Sequence, residues 1–305
     1  MKGIYLFVAS CAMFSSLSLA NLGSSLSEND YLKKQYLSGK NELVEGHKPQ
    51  IKVATFNIGA GLANHNMDVN DVAEGIKKLN ADLIGLQEVD KLTNRSGNVD
   101  QAKELAEITK MHYFFSKTID VDGGEYGTAV LSKHPIKHAQ AFKMPSGDYE
   151  PRQVIVAEVN VPGFKMPVHF LNIHTDWHHD DAVRVSQMEY LNAFTTDDAD
   201  VKDIFPNLLT GIMIAVGDFN DVDNSNSINK LRLFWDEVSV SGKDMRSWPA
   251  ANPSLALDKI FTSRGQVWKV KDMFVPNQPN DWAIFNWPLV SDHVPVMATL
   301  ELHEY

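Results

Sequence analysis

Gly211-Ile212-Met213-Ile214-Ala215-Val216-Gly217-Asp218-Phe219-Asn220 is the stretch on which the reading of this chain turns. Its apolar run, rich in β-branched residues, predicts a buried strand. At its end the chain turns at Gly217 and presents a carboxylate and a carboxamide two residues apart. Alternation along an extended backbone would point both side chains the same way. An anionic oxygen that orients water, beside an amide that donates to a phosphate oxygen, is what metal-assisted phosphate-ester hydrolysis needs. The same tetrapeptide also fits an Asx-type turn closing a strand. The rest of the chain has to decide between them.

Composition sets the frame. The 305 residues, 44% hydrophobic and 22% charged, suit one large soluble domain or two small ones. A formal charge of −11 repels polyanions unless a local basic patch or a divalent metal compensates, which argues against tight nonspecific DNA binding.

The amino terminus reads as an export signal, with Lys2, an apolar run from Ile4 to Phe14, and small residues closing Ser18-Leu19-Ala20. That run is too short to span a bilayer, and no other segment is long and apolar enough to do so. Residues 1–20 are therefore expected to be cleaved, placing the mature chain in the periplasm or outside the cell. The sole cysteine, Cys11, lies inside this segment. Val8-Ala9-Ser10-Cys11 superficially resembles a lipidation box, but its apolar stretch is short. Without Cys11 the mature protein needs neither disulfides nor thiolate ligands. Residues 21–50 are polar and read as a linker or peripheral segment. A single domain is expected over 51–305.

Within that domain strands and helices alternate. Strands are expected at Ile51–Phe56, Leu83–Leu86, Gly127–Ser132, Val154–Val161, Val168–Ile173, Ile212–Val216, Leu257–Thr262 and Val294–Leu302. Helices are expected through Val72, Ile76 and Leu79, through Leu105 and Ile108 with a cap near Asp100, and through Val185, Met188 and Leu191. Many strands with fewer helices fit layered sheets flanked by helices.

Polar residues recur where these strands end: Asn57, Glu88, His174, Asp218 with Asn220, Asp258, and Ser291-Asp292-His293 just before the last strand. Singly, each has a bland explanation as a turn former, a solvated strand end or a satisfied core histidine. Jointly they are the residue types that grip phosphate and a divalent cation.

The set Thr55-Phe56-Asn57, Leu86-Gln87-Glu88, Asn172-Ile173-His174, Gly217-Asp218-Phe219-Asn220, Leu257-Asp258-Lys259-Ile260-Phe261 and Ser291-Asp292-His293 resembles the endonuclease/exonuclease/phosphatase superfamily. That superfamily includes deoxyribonuclease I, abasic-site endonucleases, neutral sphingomyelinases and inositol polyphosphate phosphatases. Asp122 to Ser132 with His134-Pro135-Ile136, Glu150-Pro151-Arg152, and Arg184 with Gln187 are similar to a bacterial branch that resembles the phosphatase-like domain of lipid-anchor remodelling proteins. The resemblance implies a four-layer α/β/β/α sandwich, with two central mixed sheets flanked by helices, and a metal-dependent phosphoesterase.

Chemistry and resemblance together assign roles. Glu88 is the expected principal ligand of Mg²⁺, with Mn²⁺ the alternative, and Asn57 and Asp292 complete the site around the ion. Asp218 would orient and deprotonate the attacking water, with Asn220 holding that water or a phosphate oxygen. His293 would face the phosphate, its tautomer and proton fixed by Asp258. His174 would donate to another nonbridging oxygen. Arg152 is either a second phosphate clamp or a surface partner of Glu150.

Two clusters invite other readings. The run Thr175-Asp176-Trp177-His178-His179-Asp180-Asp181 has ligands suited to Zn²⁺, yet no second ligand group has fixed spacing with it, and it reads rather as a partly exposed loop. Trp282, Phe285 and Trp287 would either wall the substrate or membrane interface, or pack in the core.

Three functional classes follow: a phosphoesterase acting as a monomer on a small or lipid-linked ester, a secreted nuclease, and a noncatalytic binding protein retaining the fold. Basic residues are scattered, and Lys77-Lys78, Lys133 with Lys137 and Lys269 with Lys271 are short pairs, which argues mildly against a nucleic-acid groove.

Overall fold

The computed structural model describes residues 48–62, 68–196 and 199–304. The expected signal peptide and almost all of the polar segment after it lie outside these residues. Among the described residues twelve strands form two six-stranded mixed sheets. They are β1 (Gln50–Asn57), β2 (Leu83–Lys91), β3 (His112–Val121), β4 (Gly124–Ser132), β5 (Ile136–Met144), β6 (Arg152–Val159), β7 (Val168–His174), β8 (Ile212–Asp218), β9 (Trp235–Glu237), β10 (Asp258–Ser263), β11 (Val267–Phe274) and β12 (Val296–Glu304). The first sheet runs β11-β12-β1-β2-β4-β3 and the second β5-β6-β7-β8-β10-β9.

Each sheet contains one parallel pair, β1 with β2 and β7 with β8. A parallel pair needs a crossover. Helix α1 (Val69–Leu79) supplies the first; α3 (Ala182–Ala193) and α4 (Ala199–Ile204) lie in the second. Asp68 and Asp100 cap α1 and α2 (Gln101–Thr109) by accepting backbone N–H bonds from Asn70 and Lys103. Helix α1 buries Val72, Ile76 and Leu79, the predicted face. On the far side, Met188 and Leu191 of α3 and Ile228 and Leu231 of α5 (Asn226–Leu231) close over Leu171, Ile173, Met213 and Ala215.

Strand β8 shows how the layers are read out of sequence. Ile212, Ile214 and Val216 join the core that spans the two sheets, while Met213 and Ala215 join the helix-side core. The two-residue period then delivers Asp218 onto the face toward the first sheet. Asn220 does not follow it. The strand stops at Asp218, Asn220 takes φ +47°, and its N–H bonds Asp218 Oδ1 at 2.9 Å. Both initial readings of the tetrapeptide therefore hold in part: a strand-end carboxylate, closed by an Asx turn.

The sheets come into close contact at Gly85. A Cβ there would lie 2.5 Å from Asn172 Oδ1 and 2.6 Å from Val216 Cγ2. Asn172 reaches across from β7, donating to Leu86 O at 2.9 Å and Ala129 O at 2.8 Å and accepting from Gln87 Nε2 at 2.6 Å. Leu86 and Ala129 are the last regular pair of β2 and β4 before the register shifts.

The aromatic cluster near the carboxyl end belongs to the core. Trp287 is buried edge-on against Phe56, Phe274 and Phe285, and Trp282 and Phe285 pack partly buried beside it. These rings do not wall a substrate site. No helix among the described residues is long and apolar enough to cross a membrane.

Replacing Asn172 by Ala strands three buried polar groups and is expected to cost about 2–4 kcal/mol in urea-unfolding free energy. His169 offers a pH test. Burial pushes its pKa down to about 4, against partial support from Glu158. An unfolded imidazole takes a proton below about 6.5 while the folded one resists. This contribution to stability is present above pH 6.5 and lost as pH falls toward 4. Between pH 7 and pH 5 the wild type should lose on the order of 1–2 kcal/mol more than His169→Gln.

Candidate active site

Three neighbouring strands of the second sheet end at one place. Parallel register sets His174 of β7 beside Asp218 of β8, and antiparallel register sets Asp258 of β10 opposite Asp218. All three are buried. From the first sheet, Asn57 ends β1 and its amide donates to Asp218 Oδ2 and to Glu88 Oε1, each at 3.0 Å. Asn57 Oδ1 is occupied by the Gly59 N–H at 3.0 Å. Asn57 thus ties two carboxylates together with its nitrogen, and its oxygen faces away from them.

Glu88 reaches this place by an irregularity. Alternation along β2 sends Gln87 inward and would send Glu88 out. A bulge between Leu86 and Val89, with Glu88 at φ +54°, turns it back. Such a backbone is uncommon for a side-chain-bearing residue and costs on the order of 1 kcal/mol or more. Burial raises the Glu88 carboxyl, and Asp292 and Asp218 push it the same way, against the Asn57 bond and His293.

Asp292 and His293 arrive on the segment before β12. Ser291 Oγ donates to Asn57 O at 2.7 Å and accepts the His293 N–H at 3.1 Å, which fixes this segment to the end of β1. Trp248 Nε1 donates to Asp292 Oδ2 at 3.2 Å. Asp292 Oδ1 lies where a Cβ on Gly59 would come within 3.0 Å, so Gly59 keeps that oxygen accessible.

His293 lies between two carboxylates, with Nδ1 at 2.8 Å from Asp258 Oδ2 and Nε2 at 3.7 Å from Asp218 Oδ2. Burial alone would strip its proton, but Asp258 and Asp218 outweigh burial and lift its pKa to about 10. His293 is therefore an imidazolium at neutral pH.

His174 is its opposite. Burial holds its pKa well below the usual value, and the Arg152 and His293 charges add to that. Arg152 Nη1 stands 3.1 Å from His174 Nδ1. A guanidinium only donates, so Nδ1 must accept and the ring proton sits on Nε2, 3.8 Å from Asp218 Oδ2. Arg152 is buried and also pairs with Glu150 at 2.9 Å. It is thus no surface ion pair. Its contacts serve His174.

Burial raises the Asp218 carboxyl, Asp258 adds to this, and His293, Asn57 and the Asn220 N–H oppose it. The Asn220 side-chain amide donates to Thr175 O at 3.1 Å, bracing the loop after β7. The histidine-rich loop is likewise self-satisfied. His178 pairs with Asp176 at 2.9 Å and stacks between Tyr149 and Trp177.

Two places suit a cation. Asp218, Asp258 and His293 offer ligand atoms within 4.8 Å of one another, and Asp258 Oδ1 is buried without a partner among the described residues. There the His293 imidazolium already supplies positive charge. Glu88 and Asp292 receive only the neutral donors Asn57 and Trp248 among the described residues. Acidic groups close enough to act on one another, without a bonded protein cation, fit a hard divalent ion.

Sequence reasoning missed Trp248, which lies in a loop with no motif, and the cleft that opens beside Glu88. That cleft of about 310 Å³ is lined among others by Leu62, Arg95, Ile119, Tyr126 and Glu150. No local signal marked these residues, because they meet only when β2, β3 and β4 are assembled.

Two mixed sheets whose strand ends gather carboxylates and imidazoles at one place form a layered α/β sandwich. The chain belongs to the Endonuclease/Exonuclease/phosphatase family, whose model matches residues 54–293. Hydrolysis of phosphate esters, commonly with a divalent metal, is that family's chemistry. YbhP of Escherichia coli, an uncharacterised protein, is 23% identical over 263 residues, which cover 82% of this chain and 96% of YbhP. Among solved structures, an endonuclease/exonuclease/phosphatase from Bacteroides vulgatus aligns with a TM-score of 0.63 at 20% identity, over 84% of this chain and 100% of its own. The mannosyl-6-phosphatase Bt3783 of Bacteroides thetaiotaomicron aligns with a TM-score of 0.60 at 18% identity, over 82% and 99%.

Asp258→Asn should lower the pKa of His293. If the imidazolium is required, the alkaline limb of kcat/KM, expected near pH 10 in the wild type, shifts to lower pH in the variant. An unmoved limb would show that His293 does not act as a cation.

Proposed function

We propose that this protein is an exported, metal-dependent phosphoesterase that cleaves its ester by in-line attack of water. One observation carries the reading. A single oxygen, Asp218 Oδ2, meets the Asn57 amide at 3.0 Å and is faced by His293 Nε2 at 3.7 Å and His174 Nε2 at 3.8 Å. A carboxylate of raised basicity, with two imidazole N–H groups directed to the same point, is equipped to take a proton from water beside a bound phosphate.

Asp218 accepts that proton. Each of its oxygens accepts one N–H, Oδ1 from Asn220 and Oδ2 from Asn57, and the two imidazoles beside Oδ2 mark it as the oxygen that acts. His293, kept protonated by Asp258, donates to one nonbridging oxygen, and neutral His174 donates Nε2–H to another. Arg152 keeps His174 in that tautomer. Glu88 and Asp292 would hold Mg²⁺, or Mn²⁺ in its place, with Asn57 orienting Glu88. When bound, the ion supplies Lewis-acid polarisation of a phosphoryl oxygen.

The substrate class is a small or lipid-linked phosphate ester. The modest cleft, the charge of −11 and the scattered lysines support this over a nuclease. The resemblance to lipid-anchor remodelling domains favours a lipid-linked ester, and the likeness to a mannosyl-6-phosphatase adds phosphorylated sugars. The Lys2-to-Ala20 segment supports export, and the protein is read as a monomer. Nucleic acid is the second reading, and a noncatalytic binding role the third.

Asp218→Asn and His293→Ala should each lower Mg²⁺-dependent hydrolysis by about 10²–10³ or more, with the thermal midpoint of Asp218→Asn nearly unchanged. Full activity in either variant defeats the proposal. Chelation should silence turnover, and recovery with Ca²⁺ alone would count against Mg²⁺. Plasmid DNA, sphingomyelin and an aryl phosphodiester, assayed side by side with and without Mg²⁺, separate the three readings.

A further inference from the structure

The cleft beside Glu88 carries a cation that none of the chemistry above employs. Arg95 lies in the loop after β2, and its Nε and Nη2 fork onto the Asp90 carboxylate at 2.8 and 2.7 Å. Asp90 is fully buried and also accepts the Thr93 hydroxyl at 2.6 Å. The guanidinium lies 5.5 Å from the ring centroid of Tyr126, and the Arg95 N–H is held by Asp122 at 2.5 Å. The side chain is nonetheless 37% exposed, and Nη1 makes no hydrogen bond among the described residues.

We propose that Arg95 forms a second anion subsite, so that the preferred substrate is a small ester carrying another phosphate or carboxylate beside the scissile phosphate. This rests on the phosphoesterase reading of the adjacent site. A guanidinium has five donors, and Asp90 engages one edge while the other remains for a ligand. Forked onto Asp90 and lying beside the Tyr126 ring, Arg95 is already ordered and loses little freedom on binding. The cleft walls favour the same ligand. Leu62, Ile119 and Val121 give the cleft apolar walls that offer no competing donor or acceptor from their side chains. Of the two carboxylates there, Glu150 is paired with Arg152 and Glu88 faces the cation niche. A volume of about 310 Å³ suits one small molecule and not a continuous strand.

The test is calorimetry in Mg²⁺ with α,ω-alkanediol bisphosphates of three to six carbons against the matching monophosphates. The Asp218→Asn background prevents consumption of the ligand. For at least one length the bisphosphate should bind about tenfold or more tightly than its monophosphate. Arg95→Gln should erase that preference. Because this variant leaves Asp90 buried without its cation, Ile119→Glu gives an independent check: it keeps the Asp90–Arg95 pair, opposes an anion, and should also erase the preference, while Ile119→Gln keeps it. Equal affinities at every length overturn the subsite, as does a preference that survives both Arg95→Gln and Ile119→Glu. A short oligonucleotide that outcompetes every bisphosphate overturns the small-molecule assignment. Aryl phosphate hydrolysis by the unaltered protein is followed in parallel. Its absence alongside a bisphosphate preference would fail the catalytic reading alone, and its presence without that preference would fail the subsite alone.

Discussion

The close approach of the two sheets at Gly85 and Asn172 is the constraint from which the site follows. Only a residue without a side chain lets β7 and β8 come so near to β2, and only a side chain with both donors and an acceptor bridges what remains. The Asn172 carboxamide satisfies the carbonyls of Leu86 and Ala129 where the β2–β4 register breaks. The bulge that turns Glu88 inward thus draws hydrogen bonds from the opposite sheet. Sheet stacking and site geometry are one arrangement.

The charge pattern has the same economy. Asp218 and Asp258 are register partners on adjacent strands, a repulsive placement for two buried carboxylates. His293 resolves it by keeping a proton between them. His174, beyond Asp218, must then be neutral, because a second imidazolium would face both Arg152 and His293. The two histidines, alike in sequence, are driven to opposite states by what stands behind each: a carboxylate for His293, a guanidinium for His174.

The central strands and the residues at their ends were legible because buried strands are written as apolar runs and their ends as abrupt polar breaks. The strands left unassigned, β3, β5, β9 and β11, are the outermost strands of the two sheets. Partly solvated, they mix lysine with apolar residues, or are as short as Trp235–Glu237, and carry little periodic signal. Asn57, Glu88, His174, Asp218, Asp258, Asp292 and His293 were named from sequence and lie in one hydrogen-bonded or electrostatically linked cluster. What sequence did not show was direction. Asn220 leaves the strand and braces Thr175, Arg152 backs a histidine, and Glu88 turns inward on a bulge. Direction depends on a left-handed residue, a bulge or a neighbour distant in sequence, none of which local pattern encodes.

Those outermost strands have a further significance for the life of the protein in solution. A free strand margin offers unpaired amides to any passing chain. Here Lys117, Lys137, Lys143, Lys269 and Lys271 stud three of the four margins, and the fourth is only a few residues long. Bringing two such margins together would crowd ammonium groups and strip their hydration. The fold therefore carries its own protection against fibrillar self-association, built from the same lysines that made those strands hard to recognise.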